Sequence, residues 1–252
     1  MKLIDVHVYY GKWGFPIKLV SIEQLLEIMK EVGIERAVLM SSLSLSYDMS
    51  EGNSELCRAI EPHDELLGYV YLNGNYVEDS IKEMARYLDS PKFVGAKYHP
   101  ELSVLPPNAP QCEPLWDLLE KKYKKPVLIH TWTLPEHNNV LPSSLPEFVV
   151  DVAKRHPNLK IVMGHMGGPG WRHCVQVIHD VDNIWVDFCS SYADRDKIAH
   201  VVECLGADRV LFGTGMTENN PWMQLGALLE ADISKEDREK IMRWNARKIF
   251  QL

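Results

Sequence analysis

Four of the ten histidines, His7, His99, His130 and His165, stand at or just past the ends of short apolar segments. Imidazoles suit divalent metals, and they suit general acid–base work near neutral pH. Alternation along an extended chain puts Asp5, His7 and Tyr9 on one face, and Lys97 with His99 on another. Lys97 is a candidate for holding a substrate carboxylate, or for acting as a base if burial lowers its pKa. A single strand-end histidine is usually a hydrogen-bonded structural residue, so the argument rests on convergence. The other six histidines fall on helices (His173, His179, His200), near helix ends (His63, His156) or in a loop (His137).

The elements that must position these residues alternate from end to end. Eight strand segments are predicted: Leu3–Val8, Ala37–Ser41, Leu67–Leu72, Phe93–Tyr98, Val127–His130, Ile161–Met163, Ile184–Asp187 and Val210–Phe212. Each leads into a helical pattern. These are Ile22–Val32, Ser54–Glu61, Val77–Leu88, Glu113–Tyr123, Pro146–Arg155, Trp171–His179, Asp196–Leu205 and Trp222–Ala231, with a last helix over Lys235–Phe250. Ser21 with Gln24 reads as a capping box, and Gly33 as the stop. Strict alternation demands a parallel sheet, and eight units without a composition break favour one (β/α)₈ barrel domain over residues 1–252. Neither a GxGxxG turn after the first strand nor a phosphate-binding Walker loop is present, which disfavours a nucleotide-binding sheet.

In such a barrel the strand ends meet at one mouth, where active sites are built. The long segments 9–20, 42–53, 99–112 and 131–145 fall on that face and predict a covered pocket. Trp13, Trp132 and Trp222 lie in or beside them. Gly164, Gly167, Gly168 and Gly170 flank His165, leaving room for a ligand or simply permitting a sharp turn.

Composition excludes several classes. The 252 residues carry a formal charge of −8, which argues against nucleic acid or an anionic membrane as main partners. The five cysteines form no CxxC pair and read as reduced thiols. No segment approaches the roughly 20 apolar residues of a membrane span. A cytoplasmic protein with a small-molecule substrate is expected, and exposed tryptophans on barrel helices would suit a homodimer.

Six segments, taken in order, carry a resemblance: Ile4–Tyr9 (IDVHVY), Phe93–Pro100 (FVGAKYHP), Val127–Thr131 (VLIHT), Val162–Gly168 (VMGHMGG), Leu211–Gly215 (LFGTG) and Asn245–Phe250 (NARKIF). The series resembles the amidohydrolase-related family, in the branch that includes aminocarboxymuconate semialdehyde decarboxylase. The resemblance implies metal-supported hydrolysis, or non-oxidative decarboxylation, of small organic acids. It also implies His7 and His130 as ligands of a divalent metal such as zinc, and His165 as the catalytic histidine of the sixth strand. Lys97 is then the group that holds the substrate's acid, with His99, Trp132 and Tyr9 as substrate-binding residues.

Two positions depart from the family pattern. Tyr9 stands where His-x-His has its second histidine, and Gly215 where the eighth strand has its aspartate. A tyrosine ligates a metal only after losing a proton of pKa about 10. Glycine supplies neither ligand nor base. Asp187 and Glu218 are candidates to fill in. The departures open a metal-independent, lactonase-like chemistry with no cofactor. They also open a rival reading, a lapsed barrel that binds a ligand or partner, and an aldolase with a Schiff base on Lys97 is a third.

Overall fold

A computed structural model of the chain describes residues 2–14, 16–133, 143–190 and 193–252. His137 and the middle of the long 131–145 segment lie outside the described residues. Eight strands run in sequence order: β1 (Leu3–Tyr10), β2 (Ile34–Ser41), β3 (Leu66–Leu72), β4 (Phe93–Tyr98), β5 (Val127–His130), β6 (Ile161–Gly164), β7 (Ile184–Asp187) and β8 (Val210–Leu211). Every neighbouring pair is parallel. Beyond Leu211 the chain bonds back to β1. Val6 N–H donates to Phe212 O (3.0 Å), and Gly215 N–H donates to His7 O (2.8 Å), which closes the circle. This is the expected (β/α)₈ barrel.

Two apolar clusters divide along the alternation of the strands. Val38, Met40, Tyr69, Tyr71, Leu128, Val162 and Leu211 fill the interior. Leu39, Val70, Ile129, Met163 and Val186 face outward onto helix residues such as Leu25, Met29, Leu56 and Met84. Only a strand buried on both faces reads as a continuous apolar run, which is why these segments were legible. The helix Ile22–Val32 begins at the expected capping box: Ser21 Oγ accepts from Gln24 N–H, and Gln24 Oε1 accepts from Ser21 N–H. Gly33, at φ 91°, ends it.

Several expectations need correction. The helix after β2 spans Met49–Ile60, starting at the Asp48 cap rather than at Ser54. Gly52 and Asn53 read locally as breakers, but tertiary contacts hold them in the helix. Gly52 packs against the short turn Ser42–Ser46, where a Cβ would lie 2.2 Å from Ser44 N. The buried Asn53 amide bonds both Tyr71 N and Tyr71 O. The expected helices Glu113–Tyr123 and Lys235–Phe250 are continuous, but they widen into π-type turns at Leu118–Tyr123 and Lys240–Trp244.

Asp5, His7 and Tyr9 do not share a face. Asp5 pairs with Ala37 but Val8 with Leu39, so three steps on β1 match two on β2. Ile4 and Val6 face the interior, as does Tyr9, and the extra residue turns His7 inward too. Asp5 is left on the other side, where its carboxylate accepts from Thr214 N and Thr214 Oγ1.

The last helix plugs the end of the barrel opposite the histidines. Ala246, Ile249 and Phe250 join the interior cluster, and the Phe250 ring meets Tyr69 edge-on at 5.9 Å. Phe250→Ala is expected to cost about 3–5 kcal/mol by opening a cavity there. Urea unfolding monitored by circular dichroism reads this directly, and a cost below about 1 kcal/mol would show that the plug does not hold the barrel.

Candidate active site

Asp187, at the end of β7, organises the mouth. Its Oδ2 accepts from His7 Nδ1 (2.9 Å), and its Oδ1 accepts from the backbone N–H of His165 (3.1 Å) and of Cys189 (3.0 Å). All four residues are buried. A carboxylate only accepts, so His7 Nδ1 carries the proton and Nε2 presents its lone pair. Tyr9 Oη lies 3.1 Å from that nitrogen and donates to it. Burial holds the His7 imidazole neutral, well below its usual pKa, and the nearby Lys97 and His130 push the same way.

His165 follows β6 in a left-handed conformation (φ 64°), and Met166 does the same (φ 55°). Such strain in non-glycine residues persists only where surrounding contacts enforce it. Here the Asp187 bond to the backbone is one such contact, and the ring provides two more. Facing the Cys189 carbonyl at 2.9 Å, Nδ1 must carry the proton. Nε2 then faces His130 Nδ1, also at 2.9 Å. Gly168, at φ 60°, lets Trp132 close over the turn, since a Cβ there would fall 2.6 Å from the indole. The Trp132 ring stands edge-on to His165 at 5.5 Å.

His130 Nε2 lies 3.2 Å from Glu101 Oε2. Burial raises the Glu101 pKa, but His130 and a hydrogen bond from Ser144 Oγ outweigh it and hold the carboxyl below its usual value. His99 stacks on His130 with ring centroids 3.9 Å apart, and its Nδ1 caps the turn Pro100–Ser103 by accepting from Leu102 N–H. Tyr9, Trp13, His99, His130, Trp132 and His165 line a cavity of about 330 Å³, with Glu101, Glu218 and Asn219 at its edge. Larger external grooves exist, one of about 520 Å³ among Lys121, Lys124 and Lys160, but they hold none of these groups.

Lys97 sits on β4 between outward-facing Ala96 and Tyr98, so its side chain enters the barrel. It is fully buried, and its Nζ has no hydrogen-bond partner among the described residues. Burial pushes its pKa down to about 8, opposed by Asp187, Cys189 and Glu218. Glu218 is itself pushed up to about 7 by burial, with Lys97 opposing. At neutral pH the interior therefore holds an ammonium that no carboxylate directly pairs.

A family model described as Amidohydrolase matches residues 48–252. The chain belongs to the amidohydrolase family. The match begins beyond β1, so it bears on neither His7 nor Tyr9. No curated protein sequence matches this amidohydrolase. Its fold is similar to that of 2,6-dihydroxybenzoate decarboxylase from Rhizobium, with a TM-score of 0.80, 19% identity, and coverage of 99% of this chain and 98% of that one. An uncharacterized TIM-barrel protein from Bordetella bronchiseptica gives a TM-score of 0.81 at 18% identity, covering 100% and 99%. A dihydroxybenzoic acid decarboxylase from Polaromonas sp. with bound manganese and 2-nitroresorcinol gives 0.78 at 18% identity, covering 100% and 97%.

Against the family pattern, the carboxylate at the mouth of this amidohydrolase comes from β7 instead of strand eight. Gly213 and Gly215 leave room for that change. A Cβ on Gly213 would lie 3.2 Å from the Asp187 side chain, and one on Gly215 would lie 2.7 Å from Cys189 Sγ. The donor atoms of His7, His165 and Cys189 lie within 4.8 Å of one another. His130, the other expected ligand, stands beside that group between His165 and Glu101. The sequence reading missed Cys189 and Glu101 as site residues. The i, i+2 spacing of Asp187 and Cys189 at the end of β7 was the available signal for Cys189. Trp222 is half-exposed and does not line the cavity.

Burying Lys97 has a cost whose pH dependence is set by its pKa. Below pH 8 both folded and unfolded chains hold the proton, and the folded state bears the full penalty. Between about 8 and the ordinary 10.5 the penalty fades. That interval corresponds to about 3 kcal/mol at most. Lys97→Met is therefore expected to stabilise the fold at pH 7, with the gain shrinking towards pH 10. Chemical unfolding at the two pH values measures it; equal effects at both would show that the charge is not the cause.

Proposed function

We propose that this amidohydrolase is an enzyme that acts on a small carboxylate-bearing molecule by hydrolysis or non-oxidative decarboxylation. The observation that carries the reading is the buried, unpaired ammonium of Lys97 in a barrel whose mouth is lined by histidines. An uncompensated interior charge is costly unless an opposite charge arrives. Lys97 lies beneath the cavity rather than on its wall, and a substrate anion in the cavity would offset its charge across the histidines that line it. The volume of about 330 Å³ is at the small end of ligand pockets and suits a molecule of one ring. Trp13, Trp132 and the stacked His99–His130 pair offer flat faces to such a ring.

Both reactions need a proton delivered to the substrate: at the carbon losing its carboxyl group, or at the leaving group of a hydrolysed bond. His130 Nδ1 lies 2.9 Å from His165 Nε2, and Glu101 stands 3.2 Å from the other His130 nitrogen at the cavity rim, so a proton could pass inward from the rim to the buried histidine that follows β6. His165 bonds at Nδ1 to a fixed carbonyl, so Nε2 is its one remaining nitrogen: it exchanges a proton in a metal-free site, and where it ligates a metal the proton transfer falls to His130. Asp187 keeps His7 and His165 in register. The donors fit a divalent metal. Neutral imidazole is the ligating form, and His7 Nδ1 on a carboxylate is the usual support for a ligating histidine. His7, His165 and Cys189 would hold the ion, with Tyr9 Oη and His130 giving up their bonds to His7 Nε2 and His165 Nε2. Bound there, it would polarise a carbonyl or carboxyl oxygen as a Lewis acid. The manganese in the Polaromonas decarboxylase supports this part of the reading.

Tyr9 and Gly215 favour the second reading, a barrel that binds such acids without turning them over. The two separate on a panel of hydroxybenzoates, lactones and unsaturated carboxylic acids, with carbon dioxide release and product formation followed by mass spectrometry. Turnover is expected on at least one, with His165→Ala lowering kcat by about 10²–10⁴-fold in a folded protein. A near-normal rate in that variant would remove His165 from the chemistry, and binding without turnover would establish the second reading. Affinity for a carboxylate inhibitor is expected to fall as pH rises through about 8, where Lys97 loses its charge. Unchanged affinity from pH 7 to 9.5 would detach Lys97 from substrate binding.

A further inference from the structure

We propose that Cys189 is a direct metal ligand, its thiolate replacing the carboxylate that strand eight lacks. The inference rests on the metal-bearing part of the reading above and goes beyond it by naming the third donor and the class of metal. Cys189 Sγ lies within 4.8 Å of donor atoms on both His7 and His165, and all three side chains are buried. Its backbone is fixed at both polar groups. The N–H donates to Asp187 Oδ1, and the carbonyl accepts from His165 Nδ1. The carboxylate that orients His7 thus also orients the residue carrying the thiol. This is the arrangement expected of a support that holds first ligands in place.

The eighth strand supplies an independent argument. A Cβ at Gly215 would stand 2.7 Å from Cys189 Sγ and 2.3 Å from Asn219 Nδ2. Gly215 also has φ 73°, where side-chain-bearing residues are strained. An aspartate at 215 would therefore require the Cys189 and Asn219 side chains to move aside. The space that a strand-eight carboxylate would need is taken by the sulfur. Two imidazoles and one thiolate make three protein ligands and leave a position for water or substrate, as in catalytic zinc sites. Without a metal, burial and the nearby Asp187 push the thiol's pKa well up and keep it protonated, with only the Lys97 ammonium opposing, so metal binding must expel that proton to solvent. A soft donor selects zinc or cobalt(II) over manganese, unlike an all-oxygen and imidazole set.

The test is cobalt(II) titration of the full-length protein, read by absorbance and by elemental analysis. One cobalt per chain is expected, with a near-ultraviolet thiolate-to-cobalt charge-transfer band. Losing a supporting residue typically costs about 10–100-fold in metal affinity, so Cys189→Ala is expected to lose more than about 100-fold, together with the band. Cys174→Ala, which removes a buried thiol of the outer cluster, is expected to keep both. Cys189→Asp is expected to bind metal without the band and to shift preference towards manganese, which covers the case in which the alanine variant does not fold. Cobalt bound without a charge-transfer band, or a band that survives in Cys189→Asp, overturns the assignment while leaving a metal in the proposed function. No bound cobalt overturns both the assignment and the metal. The Lys97 pH test stands apart from either result.

Discussion

The mouth of the barrel depends on one carboxylate. Asp187 reaches from β7 to the ring of His7 on β1, and to the backbone of His165 and Cys189. A buried carboxylate without such donors would take up a proton, and burial does raise its pKa. Two backbone N–H groups and one imidazole N–H occupy its lone pairs instead. That satisfaction decides the tautomer of His7, holds His165 in its left-handed conformation and sets the direction of Cys189. Removing it would leave His7, His165 and Cys189 loosely oriented, although the barrel's apolar layers lie elsewhere.

Around that anchor the charge is deliberately unbalanced. Lys97 adds an ammonium to an interior in which the four nearby imidazoles are held neutral by burial. Asp187 and Glu218 interact with it but do not bond it. A protein selected for stability alone would place an apolar side chain there. Retention of such a charge where stability suffers is the usual mark of a site that trades stability for function. It also squares the proposed anionic substrate with a chain of net charge −8, because the local charge and not the overall charge would meet the ligand.

Much of this was legible in the sequence, because barrel strands buried on both faces leave short apolar runs and their ends converge by geometry. His7, His99, His130, His165 and Lys97 were found in that way. Three things were not legible, for physical reasons. The extra residue in β1 that turns His7 inward and Asp5 outward leaves no local mark, since every residue from Leu3 to Tyr9 is buried. Gly52 and Asn53 look like helix breakers, yet they are held in the helix by Ser44 and by the Tyr71 backbone, contacts that a window of sequence does not contain. Glu101 joins the site only because the turn after β4 brings it to His130 on β5. Cys189 was read as one of five ordinary thiols, because its partners lie on β1 and after β6.

The two departures from the family pattern then have one physical explanation rather than two. A tyrosine at position 9 keeps a donor on His7 Nε2 where a second imidazole would stand. Glycine at 213 and 215 removes side chains from strand eight exactly where Asp187 and Cys189 arrive from β7. A random loss of an aspartate would leave a void lined by unpaired polar atoms, which is costly in a buried site. Here the volume beside Gly213 and Gly215 is filled, the His7 and His165 imidazoles have partners at both nitrogens, and Asp187 bonds both His7 and the backbone of His165. The arrangement fits the proposed metal site, with the donor atoms of His7, His165 and Cys189 within reach of one point.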